Sequence, residues 1–168
     1  LLFSPMSPQD AETRPVRPGE ELDVSRLTAF LRNHIPDFTG ELTVLQFPHG
    51  HSNLTYLLCS GSAEWVLRRP PFGNQVKSAH DMGREYRVLS GLSKVFSPAP
   101  CPLVFCDDES VLRTPFYVME RRRGIILRRD WPTELPRDPE LLRQMCGSLI
   151  DTLADLHQIN PSVAGLSD

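Results

Sequence analysis

Proline divides this chain more firmly than any other feature. Sixteen prolines stand among 168 residues. Each fixes φ and lacks the backbone N–H, so helix interiors and central strands must lie between them. Before Pro36, Val24, Leu27, Phe30, Leu31 and Ile35 recur at helical spacing behind Asp23, a helix cap. Leu42–Phe47, Asn53–Cys59 and Glu64–Arg69 read as three strands, with Leu54, Tyr56 and Leu58 on one face and Pro70-Pro71 as the stop. Short turns join them into an antiparallel meander. Ser78-Ala79-His80-Asp81 is like a capping box, and its helix runs to about Ser93 with Met82, Tyr86, Leu89 and Leu92 inward. Strands follow at Leu103–Cys106 and Thr114–Glu120, joined by a turn at Asp107–Ser110. Asp138 and Pro139 open the longest helix, 138–159, striped by Leu142, Met145, Cys146, Leu149, Leu153 and Leu156. The order predicts an α+β fold with one antiparallel sheet.

Residues 1–22 carry Pro5, Pro8, Pro15, Pro18 and Gly19 with few apolar side chains, and read as a flexible arm. The net charge of −3 gives no positive field for nucleic acid. No apolar run approaches the roughly 18–20 residues of a membrane span. The first residues are too short, and lack the basic flank, for a signal peptide. Cys59, Cys101, Cys106 and Cys146 show neither disulfide nor zinc spacing and read as free thiols of a reducing compartment, the cytoplasm. His49 and His51 lack a third ligand, so no metal site is expected.

Three places can carry chemistry. The loop Phe47–Asn53 holds Gly50, Ser52 and Asn53, and such a hairpin can lay backbone N–H groups on phosphate oxygens. Alternation puts Val66 and Arg68 on one face of the third strand and Leu67 and Arg69 on the other, so one arginine shares the face of Val66. Glu85 falls on the apolar side of its helix, where a carboxylate needs a partner or a route to water. A phosphate-cradling hairpin, a strand cation and a helix carboxylate follow the order of a kinase small lobe.

Four blocks extend this: Gly50-His51-Ser52-Asn53-Leu54-Thr55-Tyr56, Trp65 to Gly73, Ser78 to Tyr86, and Pro115 to Glu120. With them the sequence closely resembles the aminoglycoside phosphotransferase-like kinases over roughly residues 23–168. The branch is similar to the kinase-like domain fused to some acyl-CoA dehydrogenases. The resemblance implies a protein-kinase-like small lobe at 23–120, with a five-stranded antiparallel sheet and helix, then a hinge and the first large-lobe helix at 121–168. It implies Gly50, His51, Ser52 and Asn53 over the nucleotide phosphates, Arg68 in the usual lysine place with Glu85 as partner, and Met119 and Glu120 leading into the hinge, whose exposed backbone meets adenine. ATP with Mg2+ and a small-molecule alcohol are the implied ligands.

The family's catalytic loop and magnesium ligands are expected beyond Asp168. The chain is therefore expected to hold the nucleotide-binding part only, to be inactive alone, and to self-associate through helix 138–159. A hydroxyacyl-CoA-like metabolite suits the dehydrogenase-like branch as acceptor. The alternative is a non-catalytic nucleotide-binding or interaction module. Arg113, Arg121, Arg122, Arg123, Arg128 and Arg129 form a basic cluster, read either as a solvated hinge surface or as an anion site at the cleft mouth.

Overall fold

The computed structural model describes residues 12–36, 38–48, 53–73, 81–127 and 129–167. Helix α1 spans Val24–His34 and α2 Met82–Leu92, and a single helical turn, α3, spans Glu109–Leu112. The longest helix, α4, spans Pro139–Gln158. The strands are β1 (Thr43–Gln46), β2 (Leu54–Ser60), β3 (Ala63–Arg69), β4 (Pro102–Cys106) and β5 (Phe116–Glu120). They form one antiparallel sheet in the order β1-β2-β3-β5-β4.

The two faces of the sheet differ because strand side chains alternate. Tyr56, Leu58, Trp65, Leu67, Phe116 and Val118 join Leu27 and Leu31 of α1 in the main core. Leu27 and Leu31 are fully buried. Asp23 caps α1 by accepting from the Arg26 N–H, and Pro36 follows its end. Val24, expected on the apolar stripe, is instead exposed in the first turn. The opposite face carries Val66 and Met119 in register, then Arg68 and Tyr117. Helix α2 lies against the β4–β5 end of the sheet. It is capped by Asp81, whose carboxylate accepts from the Arg84 N–H. Residues 78–80 of the expected capping box lie outside the described residues.

Two expectations need correction. Residues 12–22 of the presumed arm are packed. Arg14 and Gln46 exchange both backbone hydrogen bonds, at 2.9 and 2.8 Å, so the segment pairs with the edge of β1. Gln46 is buried, and its amide donates to Glu20 while its side-chain oxygen accepts from the Arg17 N–H. The Tyr56 hydroxyl donates to the Glu20 carbonyl at 2.8 Å, and burial pushes its pKa up to about 12. Backbone pairing needs no apolar period, so hydropathy did not mark the segment. The expected turn at 107–110 contains the start of α3. Asp108 caps it, Leu112 is buried, and Arg113 ends it at φ 61°.

Gly91 fixes how α2 meets the end of the chain. A Cβ there would overlap the Ala164 carbonyl oxygen and come within 3.2 Å of Leu166 Cγ. We expect Gly91→Ala to destabilise the fold by about 1–3 kcal/mol through overpacking. This would outweigh the gain of up to ~1 kcal/mol in helix propensity. Urea denaturation checks it, and unchanged stability would mean that the 160–166 segment yields freely.

Helix α4 begins as expected, with Asp138 as cap and Pro139 in the first turn. None of its residues is buried, and Leu149 is 70% exposed. No helix is long and apolar enough, among the described residues, to cross a membrane.

Candidate functional site

Strand alternation separates the two arginines of β3. Arg69 turns toward the core and is 3% exposed. Its Nε donates to the Pro70 carbonyl at 3.1 Å, and its guanidinium lies 3.8 Å over the Phe72 ring. Burial lowers its pKa. Arg68 lies on the other face, opposite Tyr117 in register and half-buried.

Glu85, one turn into α2, reaches this face. Its Oε2 lies 3.2 Å from Arg68 Nε and accepts from the Tyr117 hydroxyl at 3.0 Å. Its Oε1 accepts from Asn53 Nδ2 at 2.8 Å. Four elements or their edges therefore meet at one carboxylate: the residue before β2, then β3, β5 and α2. Arg68 Nε is buried yet makes no hydrogen bond of good geometry, so its contact with Glu85 is Coulombic and edge-on. Burial holds the Tyr117 phenol well above its ordinary pKa, so the hydroxyl remains a donor.

A cleft of about 400 Å³ opens beside the pair, with Arg68, Glu85 and Tyr117 at its polar wall and Val88, Leu89 and Met119 as apolar lining. Its size and mixed walls suit a small ligand with a charged end. Met119 thus lines the same cleft as Arg68. Glu120 is otherwise engaged. Its N–H donates to the Cys101 carbonyl, and its carboxylate accepts from the Cys101 N–H and pairs with Arg122 at 2.7 Å. The open hinge backbone expected at Glu120 therefore excludes this N–H, which the Cys101 carbonyl just before β4 has taken. Gly50, His51 and Ser52 lie outside the described residues.

The arginine cluster divides: Arg122, Arg123 and Arg129 are exposed, as the solvated-surface reading expects, while Arg121 is not. Arg121 is nearly enclosed, its side chain 7% exposed, with Nη1 on Glu64 at 2.6 Å and Nη2 on Glu12 at 3.4 Å. Arg123 reaches the same Glu64 oxygen at 2.6 Å. Arg122 binds Glu120 and donates to the carbonyls of Ser97 and Ala99. These cations are matched to carboxylates within the lobe and do not form an open anion site. Arg121 is also no solvated surface group. Arg113 lines a different cleft, with Arg26 and Arg69. Arg128 lies outside the described residues.

Tyr117 was not among the expected site residues. Its signal appears only once β3 and β5 are in register, which places it opposite Arg68. Among the described residues, no group of three or more His, Cys, Asp or Glu side chains gathers into a metal site. All four cysteines are free thiols, Cys106 buried and Cys101 and Cys146 exposed.

The family model described as the phosphotransferase enzyme family matches residues 43–168. Acyl-CoA dehydrogenase family member 11 of Rattus norvegicus is 37% identical over 160 residues, covering 92% of this chain and 20% of that protein. Family member 10 of Mus musculus is 38% identical over 127 residues, covering 75% of this chain and 12% of the relative. A crystal structure of a Ralstonia eutropha protein assigned as an aminoglycoside phosphotransferase superposes with a TM-score of 0.71 and 31% identity, covering 88% of this chain and 42% of that one. The chain thus spans about a fifth of the length of the family member 11 relatives it matches.

Proposed function

Because this chain belongs to the phosphotransferase enzyme family, we propose that its cleft takes the phosphates of ATP and that the intact protein transfers the terminal phosphoryl group to a small-molecule hydroxyl. The observation that carries this reading is Arg68. It lines the cleft, its Nε side is held against Glu85, and among the described residues no other partner claims its fork. A guanidinium fork suits phosphate oxygens. Met119 and Leu89 supply apolar walls for the rest of a nucleotide. On the family resemblance we also assign Gly50, His51 and Ser52, which lie outside the described residues, to phosphate binding.

In the transfer, the acceptor oxygen bonds to the terminal phosphorus, the bond to the bridging oxygen breaks, and ADP leaves. The hydroxyl proton passes to a carboxylate that we place in the remainder of the large lobe. The described residues do not fit magnesium, since Glu85 spends both oxygens on hydrogen-bond donors. We take the metal to arrive with the nucleotide, and derive no step through it. The likeness to acyl-CoA dehydrogenase relatives favours a hydroxyacyl thioester as acceptor. Free thiols agree with a cytoplasmic setting.

Phosphorus NMR of the intact protein with ATP and a panel of hydroxyacyl thioesters tests this. The expected result is ADP together with a new phosphate monoester. Nucleotide binding without consumption of ATP for any alcohol would instead support a non-catalytic module.

A further inference from the structure

We propose that Asn53 and Tyr117 are positioning residues that keep the fork of Arg68 free for phosphate by occupying both oxygens of Glu85. This rests on the nucleotide reading above and adds two residues that serve it through Glu85.

The side chains of Arg68 and Glu85 are 32% and 30% exposed. An arginine and a glutamate this accessible, left to themselves, hold each other weakly. Their strongest mutual arrangement is bidentate, with two parallel N–H···O bonds. That arrangement would spend the fork on Glu85. The structure shows a different one. Asn53 Nδ2 sits on Oε1 and the Tyr117 hydroxyl on Oε2, both donated by residues that are 7% and 1% exposed. Each oxygen then has one acceptor site taken, which crowds a bidentate approach by the fork, and the contact Arg68 makes with the carboxylate is through Nε, at 3.2 Å.

The charge of Glu85 still draws the guanidinium to one side of the cleft. Nη1 and Nη2 are left over for a second anion. A lysine would have to share one ammonium between the carboxylate and the phosphate, whereas the planar guanidinium separates the two tasks. Tyr117 also packs against Tyr86 of α2, 6.2 Å between ring centroids, so the helix bearing Glu85 is held at the same point.

The test uses the intact protein with Tyr117→Phe, Asn53→Ala, Glu85→Gln and the double variant Tyr117→Phe/Glu85→Gln. MgATP and adenosine are the two calorimetric probes. Tyr117→Phe removes a hydroxyl and leaves the ring in place. It and Asn53→Ala should weaken MgATP binding about five- to tenfold while adenosine affinity holds within twofold. In the Glu85→Gln background, Tyr117→Phe should add nothing. Unchanged MgATP affinity, an equal loss for adenosine, or an undiminished loss in the Glu85→Gln background would each overturn the proposal. Failure of the nucleotide reading looks different, because the wild-type protein then binds neither probe. The network is then judged by thermal unfolding, where coupling between Tyr117→Phe and Glu85→Gln supports it and strict additivity overturns it.

Discussion

Arg68→Ala in the intact protein is expected to lower kcat/KM for ATP by about 10²–10³-fold, the usual cost of removing one preorganised donor from a developing charge. Alternation along β3 presents Arg68 and not Arg69 to the cleft. The contact to Glu85 through Nε leaves the rest of the fork uncommitted. Arg68→Lys should retain part of the activity, because a point charge survives while the two-pronged geometry is lost. Arg69→Ala would report on folding instead, since that residue is enclosed on the core side. Steady-state rates for the three variants, each with an unfolding curve, separate these outcomes. A change of less than threefold in Arg68→Ala would remove the residue from the reaction.

The second large effect is on stability. Glu64→Ala is expected to cost about 2–3 kcal/mol, below the full range for breaking a dry ion pair because Glu64 keeps 23% of its side-chain exposure. One oxygen of Glu64 serves both Arg121 and Arg123. Without it, the enclosed Arg121 retains only Glu12 at 3.4 Å, and its Nε already lacks a hydrogen-bond partner. The exposed Glu140–Arg143 pair on α4 offers an internal control. Its removal should cost less than about 0.5 kcal/mol. Urea denaturation of both variants gives the comparison, and equal small losses would show that burial confers no special weight on the Glu64 contact.

The elements whose evidence is local were legible in the sequence. All five strands and the three long helices follow from period, caps and prolines, whereas the pairing of Arg68 with Glu85 was implied by the family resemblance, the strand and helix faces alone marking only one charge on each. What was not legible depends on distant partners. Arg121 meets Glu64 across 57 residues and Glu12 across 109. No local pattern distinguishes such an arginine from a solvated one. Tyr117 carries no local signal of its role, which depends on the β3–β5 register and on the contact of its hydroxyl with Glu85. Residues 12–22 escape a local reading for a related reason. Their bonds are made by backbone atoms and by the amide of Gln46, and hydropathy does not register either.

That last segment bears on how the protein behaves when handled. β1 ends the sheet, and a bare terminal strand offers its unpaired N–H and C=O groups to any neighbouring chain. The Arg14–Gln46 pairing caps part of that border, as a hem keeps a cut fabric from unravelling. Trimming residues 1–22 as a dispensable tail would strip it away. The buried Gln46 amide would lose its acceptor on Glu20, and the Tyr56 hydroxyl its carbonyl. Aggregation of such a shortened protein would then reflect an opened sheet border and would say nothing about the cleft on the opposite face.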